Sequence, residues 1–326
     1  MDWFNDFSIS LISIILEGAP FLLLGSLISG VVDAWLPANA FQKWLPKKPT
    51  TAIFVSGLVP LLLPMCECGV VPVMRRLMQK GLPPACAVTY MLAAPIVNPI
   101  VALSTYAAFS GSSFLSPGAS RIYDGAPPEA VVALRLILGF GIAVLAGLVA
   151  LQFDPKTYLR SSALATPLPS RTGLIKLPSP GAKQYPEWVI KLSQAIHVAA
   201  SDFRDIAVFL VMGAAVASFF NTAVDQEVIQ PLASEPLWAI PAMLAFAFII
   251  GLCSTSDAFI AATFVTFPLS SRLGFMVLGP MTDIKLIFIY RLVFRSRAIA
   301  LFSIVLFFLV WFICYRLDPI LAKPTF

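Results

Sequence analysis

The chain has 326 residues, of which 59% are hydrophobic and only 12% charged, with 22 Lys or Arg against 17 Asp or Glu. A soluble domain is about 45–50% apolar and about 25% charged, so a mean hydropathy of +0.87 leaves too little polar surface to coat a water-soluble globule. These figures exclude a soluble enzyme, a disordered chain and, with five cysteines in all, a secreted disulfide scaffold; what remains is an all-α, polytopic integral membrane protein.

The net charge of +5 does not point to nucleic acid, because the basic residues fall in the gaps between apolar runs. That is the positive-inside bias. At the N-terminus, Asp2 and Asp6 stand where a cleavable signal would carry Lys or Arg, and the apolar run 8–32 is too long for a signal core. It suffices for one crossing, which needs about 20 residues. Residues 33–48 carry Lys43, Lys47 and Lys48 and read as cytoplasmic; within them, residues 35–44 look like an interfacial amphipathic piece.

Residues 51–113 are apolar but broken by Pro, Gly and polar residues. They must start inside and end outside, and Arg75, Arg76 and Lys80 also call for the cytoplasmic side. A re-entrant hairpin with its tip near Cys66, followed by one crossing, satisfies both constraints. Residues 127–153 form a further crossing, in which Arg135 can snorkel outward.

Residues 154–190 are rich in Pro and Ser, lack an apolar period and carry more basic than acidic residues. They read as a flexible cytoplasmic linker between transmembrane halves at 1–153 and 191–326. In the second half, a helix at 206–220 leads to an acidic outer loop with Asp225, Glu227 and Glu235. A second broken stretch, 237–294, has its tip near Cys253 to Asp257, and residues 298–315 cross last. Each half then has about three crossings and one re-entrant or broken hairpin.

An odd number of crossings inverts one half relative to the other. The residues support such a repeat. Glu17 begins EGAPFLLLG and Asp205 begins DIAVFLVMG, an offset of 188 positions. At the same offset Cys66-Glu67-Cys68-Gly69 falls on Ser254-Thr255-Ser256-Asp257, and Pro95 to Asn98 resembles Pro280 to Asp283 at 185. Inverted repeats with interrupted helices are the architecture of secondary transporters, with sites at mid-membrane where helices break.

Residues two apart point to nearly opposite sides of a helix, so Cys66 and Cys68 can share an ion only in a turn. Pro64, Gly69 and Pro72 favour that turn. Thiolates select soft ions, and Glu67 between them is expensive at depth and therefore a functional candidate. Cys253, on the opposite tip, is a candidate third sulfur ligand for the transported ion. Ser254, Ser256 and Asp257 offer hydroxyls and a carboxylate there, and Asn98 and Asp283 mark the interrupted crossings. Glu17, Asp205 and Lys285 are candidate coupling groups, although Asp205 can equally serve as a helix cap. Cys86 is a further candidate third ligand, with packing as the alternative, and Cys314 reads as a packing residue. No resident cofactor is expected. The expected partners are the transported solute and the bilayer, without nucleic acid, and homo-oligomerisation is open.

The motifs CECGVVPV (Cys66 to Val73), AAPIVNP (Ala93 to Pro99), CSTSDAF (Cys253 to Phe259) and GPMTDIK (Gly279 to Lys285) resemble the predicted-permease family that includes the organoarsenical efflux permeases of the ArsP type. The resemblance implies a bacterial inner-membrane permease, in some members exporting trivalent organoarsenicals or metal ions, with Cys66, Cys68, Cys253 and Asp257 at the matching positions. Alternatives to soft-metal or metalloid export are a permease or channel for an organic or anionic solute, with structural cysteines, and a membrane thiol oxidoreductase. Against the last, adjacent-but-one cysteines close a disulfide poorly and no CxxC motif occurs.

Overall fold

The computed structural model describes residues 2–36, 46–110, 127–164, 186–223 and 236–321. Among these, regular structure is helical throughout, apart from an isolated bridge between Leu159 and Phe294. Long α1 (Asp2–Trp35) precedes α2 (Pro49–Leu58) with its 3-10 extension, α3 (Glu67–Gln79), α4 (Pro84–Ala93), α5 (Pro99–Phe109) and long α6 (Pro128–Gln152). Two short helices follow, α7 (Pro155–Tyr158) and α8 (Ser161–Leu164). Then the same order of long, short and long helices recurs: α9 (Glu187–Ala223), α10 (Pro236–Ile250), α11 (Asp257–Thr263), α12 (Leu269–Met281), α13 (Ile284–Tyr290) and α14 (Ser296–Leu321).

Among the described residues, four stretches are long and apolar enough to cross a membrane: Phe4–Trp35, Pro128–Gln152, Leu269–Tyr290 and Ser296–Leu321. The chain is a multi-pass membrane protein. Side chains such as Leu16 on α1 and Leu301 and Phe308 on α14 are exposed. In water such a belt would aggregate, whereas lipid covers it at no cost.

The sequence dictates where the short helices stop. After the 3-10 turn Val59–Leu61 the chain unwinds through Pro64, and Cys66 starts α3 by accepting the Gly69 amide on its sulfur at 3.3 Å. The second tip opens at Gly251, whose φ of +60° is a left-handed conformation that only glycine takes without strain. Between α4 and α5, Asn98 caps the Ile100 amide at 2.9 Å, and Pro99 fills the first helical position, where no amide is missed. Asp283 does the same for α13, accepting from the Leu286 amide at 2.6 Å.

Three sequence expectations need revision. The helix placed at 206–220 is the second half of α9, which already begins at Glu187. Asp205 therefore lies mid-helix and caps nothing. The segment 154–190 is not wholly a linker either. Its start folds as α7 and α8 and docks on the chain after α13, with the Arg160 amide donating to Val293 O at 2.9 Å. Residues 165–185 lie outside the described residues, as do 37–45 and the acidic loop with Asp225, Glu227 and Glu235. Finally, the tip helices start at Glu67 and Asp257, so the structural offset is 190, two more than the sequence comparison suggested. This offset superposes two acids in the first turn of a helix, where the dipole favours negative charge.

Helix α1 runs along α9, and α3 packs on α1. Leu22 of α1, Val70 and Val71 of α3, Leu210 of α9 and Leu286 of α13 share one buried cluster, so the core around the tips draws on both halves of the sequence. At one end of this assembly Arg76 grips Asp202 through two bonds, Nε to Oδ2 at 3.1 Å and Nη2 to Oδ1 at 2.9 Å. Ser29 donates to the same carboxylate at 2.6 Å, and Lys80 reaches the Asp33 carbonyl at 2.9 Å.

Candidate functional site

The two unwound tips meet. Glu67 enters from the first and is 1% exposed. Its Oε1 accepts from Lys285 Nζ at 3.0 Å, and the Cys253 thiol of the second tip lies 3.9 Å from its Oε2. Lys285 also donates to the Gly251 carbonyl at 2.8 Å, a group freed because α10 has ended one residue earlier. One ammonium thus bonds to both tips. Helix α13 can approach this closely because Gly213 of α9 has no side chain: a Cβ there would lie 2.6 Å from the Lys285 Cα.

Glu17 of α1 joins from the side, accepting from Ser256 Oγ at 2.9 Å. Glu17, Cys66, Glu67, Cys68, Cys253 and Lys285, walled by Phe21 and Leu210, line a cavity of about 10 Å³, the space of about a single water molecule. The tips are closed on each other.

The remaining expected residues divide. Ser254 and Asp257 are buried on the second tip but do not line this cavity. Asn98 caps α5 and Asp283 caps α13, and neither lines it. Asp283 comes close nonetheless, its Oδ2 lying 3.6 Å from Lys285 Nζ. Asp205 is exposed on α9, while the buried acid of that helix is Asp202, held by Arg76. The sequence comparison of Glu17 with Asp205 therefore pairs residues in different surroundings. All five cysteines are free, with Cys86 and Cys314 buried away from the tips in α4 and α14. Among the described residues, no three His, Cys, Asp or Glu side chains are arranged to hold a metal ion.

Arg135 corrects the sequence reading most. It does not snorkel; it is 1% exposed. Its Nη2 meets Asp257 Oδ2 at 2.6 Å and the Ser254 carbonyl at 3.1 Å, and its Nη1 meets the Thr105 hydroxyl at 2.7 Å. Asp257 faces this guanidinium rather than the cysteines. A signal was present: Arg135 lies about two turns inside an apolar crossing, where a charge is rare and normally paired within the bundle. Arg76 with Asp202 and the carbonyl of Gly251 were missed as well. No residue pattern announces a contact between distant helices or a bare backbone carbonyl.

The "Predicted permease" family model ArsP_1 matches residues 4–316. The UPF0718 protein YcgR of Bacillus subtilis (strain 168) is 30% identical over 294 residues, covering 89% of each chain. A protein of Streptococcus mutans serotype c, named as a subunit of a two-component membrane permease complex, is 30% identical over 292 residues, 89% of this chain and 88% of its own. No solved structure matches.

Proposed function

The chain belongs to the predicted-permease family ArsP_1, and from that premise we propose that it is a secondary transporter of the bacterial inner membrane. In this reading it exports a soft metal, metalloid or organoarsenical-like compound between the two tips. The observation that carries it is the convergence of Glu17, Glu67, Cys253 and Lys285, from both halves of the sequence, on broken backbone in a membrane protein. Charged groups are kept at such depth only for a task, and unwound helices are where transporters hold their cargo. The reading includes halves at 1–153 and 191–326 with opposite orientation, each with a re-entrant hairpin, and a cytoplasmic connection between them. It has no catalytic step.

Cys66, Cys68 and Cys253 would engage the cargo as thiolates. Because they do not form a closed ligand set, one or two sulfurs would hold it at a time. Weak, successive bonds suit a permease, which must release what it binds. Ser254, Ser256, Asp257, Asn98 and Asp283 shape the tips and breaks around that path. Glu17 and Lys285 are the coupling groups, whereas exposed Asp205 drops out of the role. The Streptococcus relative is named as part of a two-component complex, so a second subunit is a reasonable partner to seek, alongside self-association.

Replacing Cys66 and Cys68 together by Ser keeps side-chain size and removes soft-ion affinity. Cells expressing the double variant at normal level should lose protection against trivalent arsenicals and soft metals, measured as growth and as accumulated element. Undiminished protection would remove the thiols from the path. A second reading then leads, favoured by the ammonium of Lys285 on the cavity wall: a permease for an organic anion, for which Lys285→Gln and not the cysteine pair abolishes uptake or efflux.

A further inference from the structure

The Lys285 ammonium shares its cavity with the thiols of Cys66, Cys68 and Cys253, but its hydrogen bonds and ion pairs are to oxygen. Glu67 Oε1 lies at 3.0 Å, the Gly251 carbonyl at 2.8 Å and Asp283 Oδ2 at 3.6 Å. The groups are contributed by the first tip, the second tip and the break before α13. Glu67 is 1% exposed, Asp283 0% and Lys285 3%. With both carboxyls ionised, one ammonium leaves an excess negative charge.

The Asp283 carboxylate is divided in its duties. Oδ1 caps α13 through the Leu286 amide, which fixes where Oδ2 points. Oδ2 is buried and makes no hydrogen bond. The Lys285 ammonium at 3.6 Å pairs with it electrostatically but is too far to hydrogen-bond, so this desolvated oxygen is only partly compensated and can take a cation at closer range. Carboxylate and carbonyl oxygens together are what hard cations select, in contrast to the sulfurs beside them.

We propose that this oxygen cage is a binding site for a hard monovalent cation of the sodium class, filled by the ammonium of Lys285 while the tips are closed. The inference rests on the permease reading and names the site of its coupling ion. While Lys285 spans from Glu67 to Gly251, the tips cannot part without stripping two buried carboxylates of their counterion. A free cation entering the cage takes over that neutralisation without tethering the tips to α13. Charge decides the valence: with both carboxyls ionised and the displaced ammonium still tied to α13 beside them, the cage needs one positive charge and not two.

The test uses the purified full chain in detergent. Lys285→Met empties the cage while keeping the apolar stem. Thermal unfolding is followed in sodium, potassium or lithium chloride, in calcium chloride, and in N-methylglucamine chloride at equal ionic strength. The variant should unfold early in N-methylglucamine and recover by about 5 °C in at least one alkali chloride at saturation. The wild type, its cage filled, should shift by less than about 1 °C between the same salts. Adding Asp283→Asn to Lys285→Met should abolish the recovery.

The proposal is overturned if the variant unfolds alike in all salts, if Glu67→Gln with Lys285→Met, which leaves one carboxylate in the cage, is rescued by calcium alone, or if the wild type shifts as much as the variant. Should Lys285→Met not fold, Glu67→Gln with Lys285→Met lowers the cage charge and must show the same alkali response, or the proposal fails. The Cys66→Ser and Cys68→Ser changes, introduced beside Lys285→Met, should leave the response intact. Failure of the soft-cargo reading and failure of the cage are thus read separately.

Discussion

The two tips use one backbone device and opposite chemistry. Each unwinds and restarts as a helix on a buried carboxylate, Glu67 at the head of α3 and Asp257 at the head of α11. Glu67 is flanked by thiols and met by a lysine that divides itself between partners. Asp257 follows hydroxyl residues and is met by Arg135, whose planar fork also holds Thr105 and the Ser254 carbonyl. A guanidinium never gives up its proton and fixes its partners in one geometry, while an ammonium on a flexible stem can move and exchange. In the permease reading proposed above, the difference makes the second tip a platform and the first the element free to change partners.

The largest effect should follow from breaking the platform. Asp257→Ala leaves Arg135 charged and buried without a counterion, a loss of about 3–5 kcal/mol. The thermal midpoint and the yield of monodisperse protein should both fall steeply. Replacing both partners, Arg135→Met with Asp257→Leu, removes the stranded charge and should recover most of the loss. If Asp257→Ala is tolerated as well as an exposed change such as Glu187→Gln, the platform view is wrong.

Much of this contrast was open to sequence reading and some was not. Pro, Gly and polar residues inside apolar runs announce the broken stretches, and residues 66–68 and 253–257 mark the tips because polar groups at depth are costly. Gly69 and Pro72, expected to favour a turn, instead lie inside α3, where Cys68 is already helical and only Cys66 precedes the helix. What failed was pairing. Glu67 was legible as expensive, but its lysine stands 218 positions away, and no local pattern links them. Arg135 was misjudged because snorkelling depends on distance to the interface, whereas its fate was set by a carboxylate 122 positions on. The first half of α9 is hard to see in the sequence because Asp202, Arg204 and Asp205 interrupt its apolar run. Burial of Asp202 against Arg76 removes one of those charges from view.

A middle-sized effect tests whether chemistry alone distinguishes the tips. Moving the thiols, by Cys66→Ser and Cys68→Ser with Ser254→Cys and Ser256→Cys, keeps their number and their distance along the chain. Transport of a soft cargo should still fall more than tenfold, a loss of about 1.4 kcal/mol or more. Position 254 lies buried behind the cavity wall and position 256 has another contact to keep. Recovery to within twofold of wild type, measured as accumulation of a trivalent arsenical, would make the two tips interchangeable.

The smallest effect concerns that contact. Ser256 Oγ donates to Glu17 Oε1 at 2.9 Å and so joins α1 to the platform. A hydrogen bond to a charged group contributes about 1.5–3 kcal/mol when buried, and less here because both residues keep some exposure. Ser256→Ala should therefore lower stability by about 1 kcal/mol, with a several-fold drop in transport. Glu17→Gln separates the two roles of that carboxylate. Its amide oxygen can still accept from Ser256, so stability should stay near wild type while the charge facing the cavity is gone. The double variant supplies the decisive comparison. If the bond is the link, Ser256→Ala should cost almost nothing in a Glu17→Ala background, giving a coupling of about 1 kcal/mol in a double-mutant cycle. Additive losses would mean that Ser256 steadies only its own tip, through its second bond to the Cys253 carbonyl at 3.2 Å, and that α1 is not held by the platform.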